Sequence, residues 1–295
     1  MIEDFFDLRI ETIRPRAEPE SDAHIVRIEN PAPAEIARRV AEGWYHRPTW
    51  VTYAIAVPRS LDDYIERSFS SRQRNKPRKL LRDVPKRYRF TTEEVAEHPA
   101  EFHALYRRTV AGKPRGRDRV SEHGAFGRGW TGFYLRDGDE LVAGVLVHEM
   151  LRHFSVAYGA FDPERRRELD LEHFLLMQVL ERSIAKRYRA LSLGMDTNRY
   201  GHHLSLRLPA YKLRIGFTPL SHEPGGRELT LFRRFEPFEE GLFFYAYAAA
   251  GAAEDGLVGH FFARGEADLR PFRHHNAPPI VVHALPCEPT ARAVE

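Results

Sequence analysis

A single cysteine, Cys287, stands among 295 residues, which excludes an internal disulfide framework and a thiolate-rich zinc site. Lying so near the C-terminal end, it reads as incidental and not as a nucleophile. No window reaches the roughly 18–20 consecutive apolar residues of a bilayer span. The longest candidate, Leu242 to Ala253, is short and rich in alanine. The opening MIEDFFDLRIE has no basic region followed by an apolar run and a small-residue cleavage site, so the expected location is cytoplasmic. Gly127 and Gly129 in AFGRGW form no phosphate loop, because the strand before and the helix after are missing. His260, His274, His275 and His283 match no compact ligand spacing, and no metal is expected. There is no internal repeat and no low-complexity segment.

What is present is a globular composition, 42% hydrophobic and 29% charged, enough for one large domain or two small ones. The formal net charge is only +3, yet the charges are unevenly placed. From Arg67 to Arg89 the chain carries Arg67, Arg72, Arg74, Lys76, Arg78, Lys79, Arg82, Lys86, Arg87 and Arg89 against one acid, Asp83. Such a run is either a polyanion-binding face or a solvated arginine-rich helix.

Periodicity places the elements. Phe5 to Ile13 and His24 to Ile28 read as strands, Ala34 to Trp44 as a helix with Pro33 in its first turn, and Trp50 to Val57 as a buried strand. Ser60 is a good N-cap for a helix to Phe69, with Asp62 and Asp63 complementing its dipole. Pro77 is expected to kink or restart the basic run. A strand at Tyr88 to Thr91 and a helix from Pro99 to Val110 precede a glycine- and charge-rich loop, Ala111 to Gly129, long enough to face a substrate. WTGFYLRDGDELVAGVLVHEM reads as a hairpin turning at Asp137 and Gly138, and His153 to Tyr158 as a third strand. Leu171, Leu175, Leu176, Val179, Leu180 and Ile184 give the inner face of a long helix capped by Asp170. Ala190 to Leu193, a helix from Leu204 to Ile215 and a strand from Phe217 to Leu220 follow. Strand-like pieces then appear at Leu229 to Phe235 and Phe243 to Tyr247, and the pattern resolves nothing beyond.

The order of elements from Tyr88 to Leu220 resembles the GNAT acyltransferase fold. GDELVAGVLV is similar to that family's central strands, LSLGMDTNRYG to its fifth strand and following loop, and YKLRIGF to its Tyr-x-x-Gly-Phe-like signature. WVTYAIAVPRSLDDYIERSFSSRQRNKPRKLLRD and the pair Tyr211–Lys212 resemble the Fem-type branch, which takes aminoacyl groups from tRNA. The resemblance implies an α/β fold with a GNAT-like mixed, mostly antiparallel sheet flanked by helices. A short N-terminal α/β extension and a C-terminal β-rich extension would complete it. The expected domains are 1–86, a partial GNAT-like subdomain with the basic stretch, 87–222, the catalytic core, and 223–295, an extension packing on it. The turn on which acyl-CoA users cradle pyrophosphate is here DPERRRELD, without glycine. Arg165, Arg166 and Arg167 would have to replace its backbone donors.

Amide formation from an ester or thioester passes through an oxyanion, which needs a fixed positive charge or N–H donors and a group that takes a proton. Lys212 is the candidate for the charge; the alternative is a surface lysine on an amphipathic helix. Tyr211 would pack on the carrier or protonate a leaving group, unless it is a core tyrosine. Asp196, after a buried strand, would take the amine's proton or hold its ammonium, the alternatives being a helix cap or an ion pair with Arg199. His202 and His203 in the same loop are second candidates for a base. Arg72, Arg74, Arg78 and Lys79, with Arg165 to Arg167, would bind the donor. The leading expectation is aminoacyl transfer from aminoacyl-tRNA to a small-molecule or peptide amine, with no tightly bound cofactor. The second is an acyl-CoA-dependent N-acetyltransferase on the same core. The third is a non-catalytic nucleic-acid-binding protein on a borrowed fold.

Overall fold

A computed structural model describes residues 1–19, 22–95, 99–113, 115–123, 126–222, 226–248, 256–266 and 268–285. Cys287 and the side chains of His123 and Arg167 lie outside the described residues. Two compact units emerge, one of residues 53–194 with 214–217, the other of 1–52, 195–213 and 218–295. The division expected from sequence, at 86/87 and 222/223, is drawn differently.

In the 53–194 unit a sheet carries the order β5-β10-β9-β8-β7-β6. These strands are β5 (Trp50–Ala56), β6 (Arg89–Glu94), β7 (Trp130–Asp137), β8 (Glu140–Met150), β9 (His153–Phe161) and β10 (Ala190–Thr197). β6 to β9 pair antiparallel, and β9 pairs parallel with β10, the mixed, mostly antiparallel sheet that the sequence implied. Two helices cover its faces because successive strand residues point to opposite sides. Helix α4 (Ala100–Ala111) sets Phe102, Leu105 and Tyr106 against Tyr134, Leu146 and Ala160. Helix α7 (Leu171–Ala185) lies across β7, β8 and β9, and Leu176 and Leu180 are buried as its periodicity required. Ahead of them run α2 (Leu61–Ser68), α3 (Asn75–Arg87), which packs against α7, and the short α5 (Arg119–His123) and α6 (Arg165–Glu168).

Ser60 caps α2 as expected, its Oγ accepting from the Asp63 N–H at 3.1 Å. Pro77 does not kink the basic helix, because α3 begins at Asn75 and Pro77 falls in its first turn, where a missing N–H leaves no helical bond unmade. α5 interrupts the segment read as one loop; a helix of five residues shows no apolar periodicity to find.

The other unit holds two sheets. One runs β1-β2-β3-β12-β4, from β1 (Ile2–Phe5), β2 (Leu8–Thr12), β3 (Ile25–Glu29), β12 (Arg227–Phe232) and β4 (Tyr45–Pro48). The single strand expected over Phe5 to Ile13 is thus a hairpin, turning at Phe6 with φ of 56°. The other sheet, β13-β14-β15, is built from β13 (Leu242–Tyr247), β14 (Leu257–Ala263) and β15 (Ile280–Ala284). Leu8, Ile10, Ile25 and Phe232 from the first sheet pack with Leu242, Phe244 and Ala246 from the second. Helix α1 (Pro33–Ala41) covers β4 and β12, α8 spans Arg207–Arg214, and β11 (Thr218–Ser221) leads to His222, whose N–H donates to the Trp50 carbonyl at 3.1 Å.

The second unit has an acid-sensitive element. On β14 and β15 the rings of His260 and His283 stack, with Nδ1 of the first 3.0 Å from Nε2 of the second. Burial, and then His283, push His260 down to about 4. Neutral His260 therefore adds stability that is complete above about pH 6.5, the unfolded value, and is lost as pH falls toward 4. His46 behaves alike: its ring nitrogens are buried without a hydrogen-bond partner among the described residues, and burial, then Arg227, put it at about 4. The melting temperature should drop between pH 7 and 4.5, and less in His260→Phe, which keeps the aromatic stack but has nothing to protonate. Equal drops in the variant and the parent would contradict this reading.

Candidate active site

Strands β9 and β10 share a parallel ladder of only three pairs, His153↔Ala190, Phe154↔Leu191 and Ser155↔Ser192, although β9 continues to Phe161. Two local features end it. Gly194 adopts φ of +69°, and a Cβ there would come within 3.0 Å of the Val156 carbonyl oxygen. On its other side β9 slips register against β8, pairing Val156 with Val147 and Tyr158 with Leu146, so Ala157 is an extra residue. A bulge leaves its extra residue outside the ladder and turns the backbone. The β9–β10 ladder thus ends at Ser155, and a bulge lies just beyond it on β9.

The turn into α7 is built differently from a phosphate cradle. Asp162 Oδ1 accepts from the N–H groups of Glu164 and Arg165, at 3.0 and 3.1 Å. Asp170 Oδ1 accepts from the His173 N–H at the helix start, while its Oδ2 takes Lys76 Nζ at 3.1 Å. Against the cost of burial, His173 and Lys76 hold the Asp170 carboxyl below its usual range. Burial in turn keeps His173 neutral by pushing it down. Carboxylates therefore occupy the amides that would meet an anion. Arg165 pairs with Asp137 at 3.0 Å and Arg166 with Glu172 at 2.7 Å, so both face acids.

The basic stretch divides by partner. Arg74 is half-buried and donates to the carbonyls of Phe69 and Glu66, closing the end of α2. Arg78 lies 3.7 Å from Asp62 in an exposed pair, and Arg82, Lys86 and Arg87 also reach carboxylates. Arg72, in the turn before α3, and Lys79, on α3, are exposed with no carboxylate partner recorded among the described residues. Exposed pairs are worth about 0–1 kcal/mol, so a phosphate can displace the acid from Arg78.

The remaining sequence candidates gather in the other unit. Lys212, on α8, donates from Nζ to Asp196 Oδ2 at 2.7 Å, and the Tyr200 hydroxyl donates to the same oxygen at 3.1 Å. All three are buried, at 5%, 8% and 0% exposure, so the pair is neither a surface lysine nor a bridge to Arg199. Asp196 lies on β10, the strand that carries Ser192 and Gly194. Tyr211, next to Lys212, has its hydroxyl shielded from solvent. His202 and His203 face elsewhere: His202 Nε2 meets Asp7 in the β1–β2 turn, and His203 Nε2 meets Thr197 Oγ1 at 2.9 Å. The first contact ties the loop after β10 to the β1–β2 turn, and the second folds that loop back on the end of β10.

One polar cluster carries no sequence signal. Arg47 is buried, with Nε 2.8 Å from Glu228 Oε1 and 3.0 Å from Thr230 Oγ1, and Nη1 on the Asn198 carbonyl. Asn198 in turn donates to the carbonyls of Pro48 and Tyr245 and accepts from the Tyr245 N–H. These partners lie far apart in the chain, and β4–β12 pairing sets Arg47 opposite Glu228.

With this geometry stands a family match: residues 67–202 fit the model described as an acetyltransferase (GNAT) domain. Residues 67–202 carry a GNAT acyltransferase domain. The GNAT segment begins in α2 and ends in the loop after β10, so it contains the short β9–β10 ladder, the bulge and the capped turn. Among solved structures, FemX is 12% identical with a TM-score of 0.42, over 79% of this chain and 83% of that one. L-PGS from Bacillus licheniformis is 13% identical at 0.41, over 72% and 70%. A tandem GNAT protein from the clavulanic acid biosynthesis pathway is 16% identical at 0.39, over 71% and 63%. At such TM-scores the donor and acceptor have to be argued from the site. No curated protein matches the chain.

Proposed function

We propose that this acyltransferase forms an amide by moving an aminoacyl group from aminoacyl-tRNA to a small-molecule or peptide amine. The observation that carries this choice of donor is the capping of α7. A CoA pyrophosphate needs free amides and the positive end of a helix dipole; at the start of α7 Asp170 already accepts from the His173 amide, and in the turn before it Asp162 accepts from those of Glu164 and Arg165. A donor whose phosphates are met by side chains does not need that turn, and α3, which packs on α7 and bonds Asp170 through Lys76, supplies them. Arg72, Arg78 and Lys79 take phosphates in this reading; Arg74 keeps its place on the α2 carbonyls.

In the reaction the acceptor's nitrogen attacks the ester carbonyl, a C–N bond forms, and the tetrahedral oxyanion collapses with cleavage of the ester C–O bond, the ribose oxygen leaving as a hydroxyl by taking up the proton that the amine gave to Asp196. Lys212 supplies a fixed charge against the anionic carrier, held by Asp196 and Tyr200. Both recorded contacts to Asp196 fall on Oδ2, leaving Oδ1 to receive the proton that the amine loses. Tyr211 supports the carrier, and His202 and His203 position the loop.

The acyl-CoA reading keeps one observation in its favour, the acetyltransferase description of the matched family. Binding of purified protein to charged tRNA and to CoA separates the two. Tight, salt-sensitive tRNA binding is expected, with the slope of log affinity against log salt falling by about one unit for each of Arg72→Ala and Lys79→Ala. Unchanged slopes in both variants, or binding of CoA in preference to tRNA, would contradict the donor assignment.

A further inference from the structure

At one end of the 53–194 unit, the β8–β9 hairpin turns through Leu151 and Arg152, just after Met150 at the end of β8. Leu151 is 101% exposed and Met150 37%, the first a fully solvated aliphatic side chain at a hairpin tip. Leu151 also adopts φ of 42°, the left-handed region where a branched side chain is strained and glycine or asparagine is favoured. Nothing within the fold is gained by leucine at this position.

The surroundings are basic. The connection from α7 to β10 runs beside the tip: the Arg189 N–H donates to the Arg152 carbonyl at 2.9 Å, and Lys186 Nζ and the Tyr188 hydroxyl both meet Glu149. Glu149 is thereby engaged. Arg152, Arg187 and Arg189 are exposed, with no carboxylate partner recorded among the described residues. An exposed aliphatic point next to Arg152 in the same turn, with Arg187 and Arg189 on the connection bonded to it, has the chemistry of a peripheral membrane contact, in which the apolar tip enters the headgroup boundary and the cations meet anionic lipid. Single-stranded nucleic acid asks instead for aromatic stacking platforms, which this tip lacks.

We propose that the Met150–Leu151 tip, with Arg152, Arg187 and Arg189, docks the protein on an anionic lipid surface. Among the described residues no helix is long and apolar enough to cross a membrane, so the contact is interfacial. The proposal stands apart from the choice of acyl donor.

Co-sedimentation of the full chain with vesicles tests it. Vesicles of equal parts phosphatidylcholine and phosphatidylglycerol should bind the protein, pure phosphatidylcholine far less, and added salt should weaken binding. Leu151→Glu should lower partitioning by about tenfold or more, from the lost burial of one leucine. Arg152→Ala and Arg189→Ala should each lower it by roughly fivefold. Leu151 and the arginines are exposed, so all three variants should melt with the parent; thermal melts run alongside separate lost docking from lost folding. The proposal is overturned if the parent ignores anionic vesicles or if Leu151→Glu binds them like the parent. It is equally overturned if Arg152→Ala and Arg189→Ala weaken tRNA binding while vesicle binding is unchanged, which would make the patch a nucleic-acid surface.

Discussion

Lys212→Met should lower turnover by about 100-fold or more, if Lys212 matches a typical donor to the oxyanion in worth, and should also unfold more easily. The second effect follows from burial. Removing one partner of a buried pair leaves an uncompensated charge and costs about 3–5 kcal/mol, and Asp196 has only the Tyr200 hydroxyl besides Lys212 among its recorded partners. The two effects separate in the double variant Lys212→Met with Asp196→Leu, where no charge is stranded. Stability should return toward the parent, since apolar replacement of a buried ion pair is often neutral. Turnover should not return. Lys212→Arg should keep the charge yet rescue activity poorly, because a planar fork does not fit where a point ammonium meets one carboxylate oxygen. Turnover near the parent level in Lys212→Met, measured below its melting temperature, would reduce the lysine to a structural ion pair.

Arg47→Met should be the most destabilising single change in the other unit, by about 3–5 kcal/mol. It removes the larger of the two charges, Arg47 and then Arg199, that against the cost of burial hold Glu228 below the usual carboxylate range, leaving Glu228 to Arg199 and the Thr230 hydroxyl, and it takes a donor from the Asn198 carbonyl. Arg47 also lies over Phe232 and Phe244, so its loss loosens the aromatic packing between the two sheets. Denaturant unfolding checks this. A midpoint like the parent's would mean that water or a moved side chain satisfies Glu228.

Local chemistry carried far in the sequence. Ser60 and Asp170 are caps because a short side-chain oxygen satisfies an orphan N–H, and the hairpin at Asp137–Gly138 follows from glycine's tolerance of φ at 61°. Long-range pairing did not. β12 enters between β3 and β4, and no periodicity in either segment names its partner, so the first and last thirds of the chain read as separate extensions. β14 and β15 stayed unread for a similar reason: LVGHFFA and IVVHA are too short and mixed to separate from loop.

The site divides the same way. Lys212, Asp196 and Tyr211 were legible as residue types near a strand end and on a helix, but their burial and the part of Tyr200 were not. The histidines were read as possible bases because they titrate near neutrality, and their contacts with Asp7 and Thr197 carried no signal in the sequence. The arginine run overstated its free charge, since sequence spacing does not show that Arg74 faces carbonyls or that Arg87 meets Glu168.

The acyl donor defines the reaction, and one measurement identifies it directly. The protein is incubated with a mixture of candidate amines and either a pool of charged tRNA or acetyl-CoA, and new amides are sought by mass spectrometry. Aminoacylated products that require charged tRNA are predicted, with none from acetyl-CoA. Acetylated amines formed from acetyl-CoA, with charged tRNA inert, would contradict the account.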